Sequence, residues 1–64
     1  MIDLKGKVAV ITGSANGLGK ALAIELWRQG CNLALLDTDA RGLQDLQLQL
    51  QNSQQKISIH TIDI

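Results

Sequence analysis

The sequence predicts an α/β fold, built as strand, helix, strand, helix, strand, with the three strands parallel in one sheet. Three observations predict it. Residues 7–12 (K-V-A-V-I-T) and 32–36 (N-L-A-L-L) are short apolar runs of the kind found in strands buried on both faces. A stretch of helical periodicity follows each of them. Glycines stand where the first strand and the first helix should end, at Gly13 and Gly30.

Residues 1–7 read as a polar lead-in hinged at Gly6. Residues 7–12 are rich in β-branched side chains and form the first strand. Residues 17–29 form the first helix. Leu22 and Leu26 share a face with Gly19 and Ala23, while Glu25, Arg28 and Gln29 fall on the other side. Trp27, the one aromatic residue, lies off that leucine stripe and is expected at the helix edge. Gly30 takes the position at which a left-handed glycine ends a helix. Residues 32–36 are the second strand, closed by Asp37.

Thr38 or Asp39 caps a second helix over residues 40–51, on which Leu43, Leu46 and Leu50 make one stripe. Residues 46–51 (L-Q-L-Q-L-Q) also alternate as an exposed strand would. Leu and Gln lack β-branching and form helices readily, so the helix is preferred. Residues 52–55 are a polar turn, and residues 56–64 alternate β-branched and polar side chains as a third strand. Right-handed crossovers then give the strand order 3-2-1 with both helices on one face.

Composition narrows the possibilities. Sixty-four residues make one small domain at most, and such a chain buries only about 60% of its unfolded surface. Cys31 is the sole cysteine, so no disulfide staples it, and Cys31, His60 and the carboxylates show no metal-ligand spacing. Six basic residues balance six acidic ones, which gives no reason to expect nucleic acid or an anionic membrane as partner. No signal peptide or spanning segment is evident, and the expected setting is cytoplasmic. Tyrosine, phenylalanine and proline are absent. That composition suits a piece of a larger enzyme domain better than a complete one.

The chemistry-bearing motif is T-G-S-A-N-G-L-G at residues 12–19. The start of a helix has unpaired N–H groups and a partial positive charge, which attract a phosphate. Glycine lets the backbone come close to it. Gly13 would make the tight exit from the strand, Gly17 would admit the pyrophosphate, and Gly19 would let the helix pack against the sheet. The G-x-x-x-G-x-G spacing gains its force from standing after a buried strand and before an amphipathic helix. A bare connecting turn is the alternative. A P-loop is excluded, because Gly19-Lys20 is followed by Ala21.

Asp37 follows Gly19 by 18 positions (37 − 19), close to the roughly 20-residue offset of a ribose-binding acid. A carboxylate there accepts from the adenosine 2′- and 3′-hydroxyls and repels a 2′-phosphate. Ser14, Ala15 and Thr38 offer no positive charge to hold such a phosphate, so NAD is preferred over NADP. Arg41, one turn away, is the residue that could reverse this. Asp37 could otherwise act as a helix cap or a solvated loop acid. Asp39 reads as a cap first and a ligand second.

With this glycine spacing, an acid closing the second strand and Asp63-Ile64 at the third, the sequence resembles the N-terminal part of the short-chain dehydrogenases/reductases. The opening L-K-G-K-V-A-V-I-T-G at residues 4–13 is similar as well. The resemblance covers essentially all of residues 1–64. It implies a partial NAD(P)-binding Rossmann domain, incomplete relative to that family's seven-stranded sheet. It also implies that Gly13, Ser14, Asn16, Gly17, Leu18 and Gly19 line the pyrophosphate and ribose, with Thr12 steadying the turn. Asp37 would select NAD, Asp63 would bond the adenine amino group, and Ile64 would pack beside the ring. The family's catalytic Asn, Ser and Tyr-x-x-x-Lys have no counterpart here, so no catalytic residue is assigned. Cys31 and His60 are expected to be structural.

The expected function is therefore the dinucleotide-binding half of an NAD(P)-dependent oxidoreductase that moves hydride between a nicotinamide and an alcohol or carbonyl, not catalytic alone. The alternatives are a non-catalytic nucleotide-binding or chain-pairing module and, more weakly, an epimerase or dehydratase fragment. Full-length relatives are expected to be homo-oligomers. Both strands are apolar on both faces, so one set of side chains in the isolated chain must face water beside an open edge, and aggregation, partial folding or dependence on a partner is expected.

Overall fold

A computed structural model of the chain describes residues 4–63. Its five elements come in the expected order: β1 (Val8–Thr12), α1 (Gly17–Arg28), β2 (Asn32–Asp37), α2 (Ala40–Gln49) and β3 (Ile57–Thr61). The strands are parallel and ordered β1-β2-β3, which is the anticipated 3-2-1 read from the other edge. Register is level across the sheet. Ile11 pairs with Leu35 and Leu35 with Ile59; Thr12 pairs with Leu36 and Leu36 with His60.

Alternation divides the sheet into two unlike faces. Ala9, Ile11, Leu33, Leu35, Ile57 and Ile59 share one side and pack with Ala23 and Trp27 of α1 and Leu43 and Leu46 of α2. A single core thus forms between the sheet and both helices, which lie on the same face. Val8, Val10, Ala34, Leu36, Ser58 and His60 share the other side, which carries no helix among the described residues. Val8 and Val10 are each 67% exposed there.

The helix ends follow local chemistry. Gly30, at φ +95, closes α1. The Gly30 N–H donates to the Trp27 carbonyl and the Cys31 N–H to that of Leu26, the paired bonds of a Schellman motif. Asp39 caps α2, its carboxylate accepting from the Gly42 N–H at 3.0 Å. The L-Q-L-Q-L-Q run is helical through Gln49 because Leu43, Leu46 and Leu50 all reach the core. β3 is shorter than residues 56–64. The Ile62 N–H makes one more bond, to the Asp37 carbonyl, and β2 ends at that residue.

Trp27 differs from expectation. It is 8% exposed and lies in the core, whereas Leu22 on the expected stripe is 49% exposed. The cause is the close approach of α1 to the turn at Gly19, which turns the Gly19–Ala23–Trp27 row inward. A second unforeseen feature binds the far end of the fold. The Gln55 carboxamide donates to the Trp27 and Cys31 carbonyls at 2.9 and 2.7 Å and accepts from Asn52 at 2.7 Å. It joins the end of α1, the start of β2 and the approach to β3.

Candidate dinucleotide site

The three strands end level, so the residues that follow them emerge along one carboxyl edge, where open α/β sheets hold their ligands. At β1 the chain passes through Gly13 to Gly19 into α1. Gly17 has φ +60, a left-handed value that costs an ordinary side chain roughly 1–2 kcal/mol, and the space where its Cβ would stand is empty. Gly19 has the opposite requirement. A Cβ there would collide with the backbone carbonyl of Gly13. One glycine opens the turn to solvent and the other closes the helix onto the strand exit.

The start of α1 has no side-chain cap. Asn16 stands at the N-cap in extended geometry, but its side chain makes no capping hydrogen bond, and the first turn has no acidic residue. A helix start without such a cap presents its dipole and first amides in a way that attracts an anion. Asn16, Gly17 and Leu18 are exposed; Leu18 is 87% so. Leu18, Gly19 and Leu22 line an open groove with Val10, Ile11 and Thr12. Ser14 is placed differently. It is fully buried, and its N–H and hydroxyl both donate to the Leu36 carbonyl, at 3.3 and 3.4 Å.

Asp37 continues the Leu33–Leu35 alternation, so its side chain leaves the sheet on the helix-covered face, where the turn lies. Its Oδ2 accepts from the Ala15 N–H at 2.9 Å and its Oδ1 from the Asp39 N–H at 3.1 Å. The Thr38 hydroxyl also donates to Oδ1, at 3.4 Å. These donors, the Ala15 amide foremost, hold the carboxyl below its ordinary value of 3.8. Ala15 in turn packs under Gly42 of α2, where any Cβ on Gly42 would crowd both the Ala15 methyl and the Asp39 carboxylate. The turn, Asp37 and the start of α2 therefore form one connected corner.

Asp63 is exposed, two residues beyond β3 on the same edge. Ile64 lies outside the described residues. Arg41 is exposed in the first turn of α2. Cys31 is buried, its thiol directed at the Leu4 carbonyl, and His60 is exposed beside Ser58. Among the described residues no cluster of His, Cys, Asp or Glu could hold a metal ion, and no helix is long and apolar enough to cross a membrane. A further depression, lined by Trp27, Gln47, Leu50, Gln55 and Ile57, lies at the amino end of β3, away from this corner. The Ala15–Asp37 bond and the burial of Ser14 escaped the sequence reading. Both join positions 22 apart, and no local signal announces them.

Comparison with known proteins places this geometry. Residues 7–64 match the family model described as short chain dehydrogenase. Cyclohexanol dehydrogenase from Rhodococcus sp. (strain TK6) is 42% identical over 48 residues, which are 75% of this chain and 18% of that protein. A short-chain dehydrogenase/reductase from Burkholderia phymatum, solved in complex with NAD, superposes with a TM-score of 0.87 at 33% identity, covering 98% of this chain and 22% of that one. L-Sorbose reductase from Gluconobacter frateurii, complexed with NADPH and L-sorbose, gives 0.85 at 29% identity, over 97% of this chain and 25% of that one. The chain thus spans a quarter or less of the length of these relatives.

Proposed function

This chain belongs to the short-chain dehydrogenase family, and from that premise we propose that its glycine turn and Asp37 bind a nicotinamide dinucleotide, NAD in preference to NADP. The observation that carries the proposal is the corner itself: an uncapped helix start behind a left-handed Gly17, with the Asp37 carboxylate fixed beside it. The amides of the turn and of the first turn of α1 receive the pyrophosphate. Gly13, Ser14 and Gly19 set the backbone path, and Asn16, Gly17 and Leu18 form the exposed lip. Asp37 accepts from the adenosine ribose hydroxyls, and Asp63 accepts from the adenine amino group, with Ile64 beside the ring.

The relatives' cofactors support the dinucleotide class and leave the choice open, since one is solved with NAD and another with NADPH. The choice of NAD rests on charge. Asp37 is held ionised, and Asp39 adds a second carboxylate two residues on. A 2′-phosphate would meet both, with Arg41 the nearest counter-charge in sequence. These 64 residues contain no tyrosine and supply the grip on the cofactor. Hydride transfer between the nicotinamide and an alcohol or carbonyl is assigned to none of them.

Calorimetric titration tests the proposal. NAD is expected to bind the folded chain at least about tenfold more tightly than NADP, a difference near 1.4 kcal/mol. Asp37→Ala is expected to abolish that preference. Equal binding of the two by the unaltered chain would overturn the choice of NAD, and no binding of either would overturn the proposal. The exposed Val8 and Val10 beside an open edge favour a second reading, a module that pairs with another chain. Sedimentation of the chain with and without NAD separates the two.

A further inference from the structure

We infer that Asp37 is also the positioning residue of the glycine turn, so that the carboxylate facing the ribose shapes the phosphate-binding backbone as well. The inference rests on the dinucleotide reading above and extends it to a second role for the same side chain. Between Gly13 and Gly17, both left-handed, the backbone has the freedom to take several paths. Two neighbouring points hold it to one. Ser14 is bonded through its N–H and hydroxyl to the Leu36 carbonyl, and Ala15 is bonded through its N–H to Asp37 Oδ2. The Ser14 anchor is main-chain at its accepting end and does not depend on the Asp37 side chain. The Ala15 anchor is that side chain itself.

Asp37 is itself held in place. The Asp39 N–H and the Thr38 hydroxyl fix Oδ1, which leaves Oδ2 turned to Ala15. An ionised carboxylate has about four acceptor sites, so Oδ2 keeps one for a ribose hydroxyl while it holds the amide. Gly17 follows Ala15 by two residues. Releasing Ala15 therefore frees the peptide whose amide and missing Cβ admit the phosphate.

The two roles predict opposite signs, which makes them separable. Removing a negative charge beside an anion strengthens anion binding. Loosening the turn weakens it. The probes are ADP and 2′,3′-dideoxy-ADP, which share a diphosphate and differ in the hydroxyls that Asp37 would accept. They are titrated calorimetrically into the 64-residue chain, into Asp37→Ser and into Asp37→Asn. Asp37→Ser is expected to bind dideoxy-ADP about fivefold more weakly than the unaltered chain, despite the lost charge. Asp37→Asn, which keeps one accepting oxygen, is expected between the two. Dideoxy-ADP binding that is unchanged or tighter in Asp37→Ser would overturn the inference and confine Asp37 to the ribose.

A ligand-free measurement distinguishes this failure from that of the parent reading. In amide NMR spectra, the Ala15 and Gly17 signals are expected to shift and broaden in Asp37→Ser, with Asp37→Asn partly restoring them and the Leu33–Leu35 signals marking the intact fold. Unmoved Ala15 and Gly17 signals would overturn the inference whatever binds. If those signals move while neither nucleotide binds any form, the positioning role stands and the dinucleotide reading falls.

Discussion

Gly19 lies so close to Gly13 that a Cβ on the first would strike the carbonyl of the second. That contact sets the distance between α1 and β1 and, with it, the face that α1 turns inward. Gly19→Ala is expected to destabilise the chain by about 2 kcal/mol, because the obstacle is backbone and cannot swing aside. Gly17→Ala meets empty space and carries only the left-handed penalty, about 1 kcal/mol. Urea midpoints of the two variants check the order. A Gly19→Ala chain as stable as the parent would mean that α1 can stand off from the sheet.

Asp37 predicts a defined pH dependence. Its folded pKa lies below the unfolded value of 3.8, so its contribution is present in full above that value. It is lost as pH falls through the folded pKa, because between the two values the unfolded chain binds more protons than the folded one. Stability should therefore rise with pH through that acid interval, and Asp37→Asn should flatten the rise. Urea unfolding from about pH 2 to pH 6 measures it; equal slopes for the two chains would contradict the carboxylate–amide bond.

Val10→Lys tests the bare face of the sheet. Val10 is 67% exposed, so the substitution should leave stability within about 0.5 kcal/mol. A charge at the free edge of β1 should also suppress self-association, read as a smaller sedimentation coefficient at high concentration. An unaltered concentration dependence would show that association uses another surface.

Gln55→Ala tests the link at the opposite end. It removes two donors from the Trp27 and Cys31 carbonyls, and two modest hydrogen bonds amount to about 2 kcal/mol. Trp27 should also report the change directly, by a red shift of its emission as water reaches the end of α1. Retained stability and emission would mean that water replaces the carboxamide without cost.

The elements legible in the sequence were those with local causes. β-Branched runs gave β1 and β3, Gly30 ended α1, and the helix propensity of Leu and Gln decided α2 against its own strand-like alternation. The glycine turn was legible for the same reason, since a left-handed Gly17 and a crowded Gly19 are each demands on one residue. The rotation of α1 was not. Leu22 looks like a core residue by type and spacing, but the helix is oriented by where its smallest residue must sit, and Trp27 fills the core instead. Nor were Ser14, Asp37 and Gln55 legible in their bonding roles. Each joins segments more than 20 residues apart, and only the folded sheet brings them together.

The level row of Thr12, Leu36 and His60 has a consequence for how such a chain can diverge. Inserting or deleting one residue inside β2 would carry Asp37 to the opposite side of the sheet and away from Ala15. Divergent copies are thus expected to keep the residue count within β1 and β2 constant, with gains or losses of length confined to the connections.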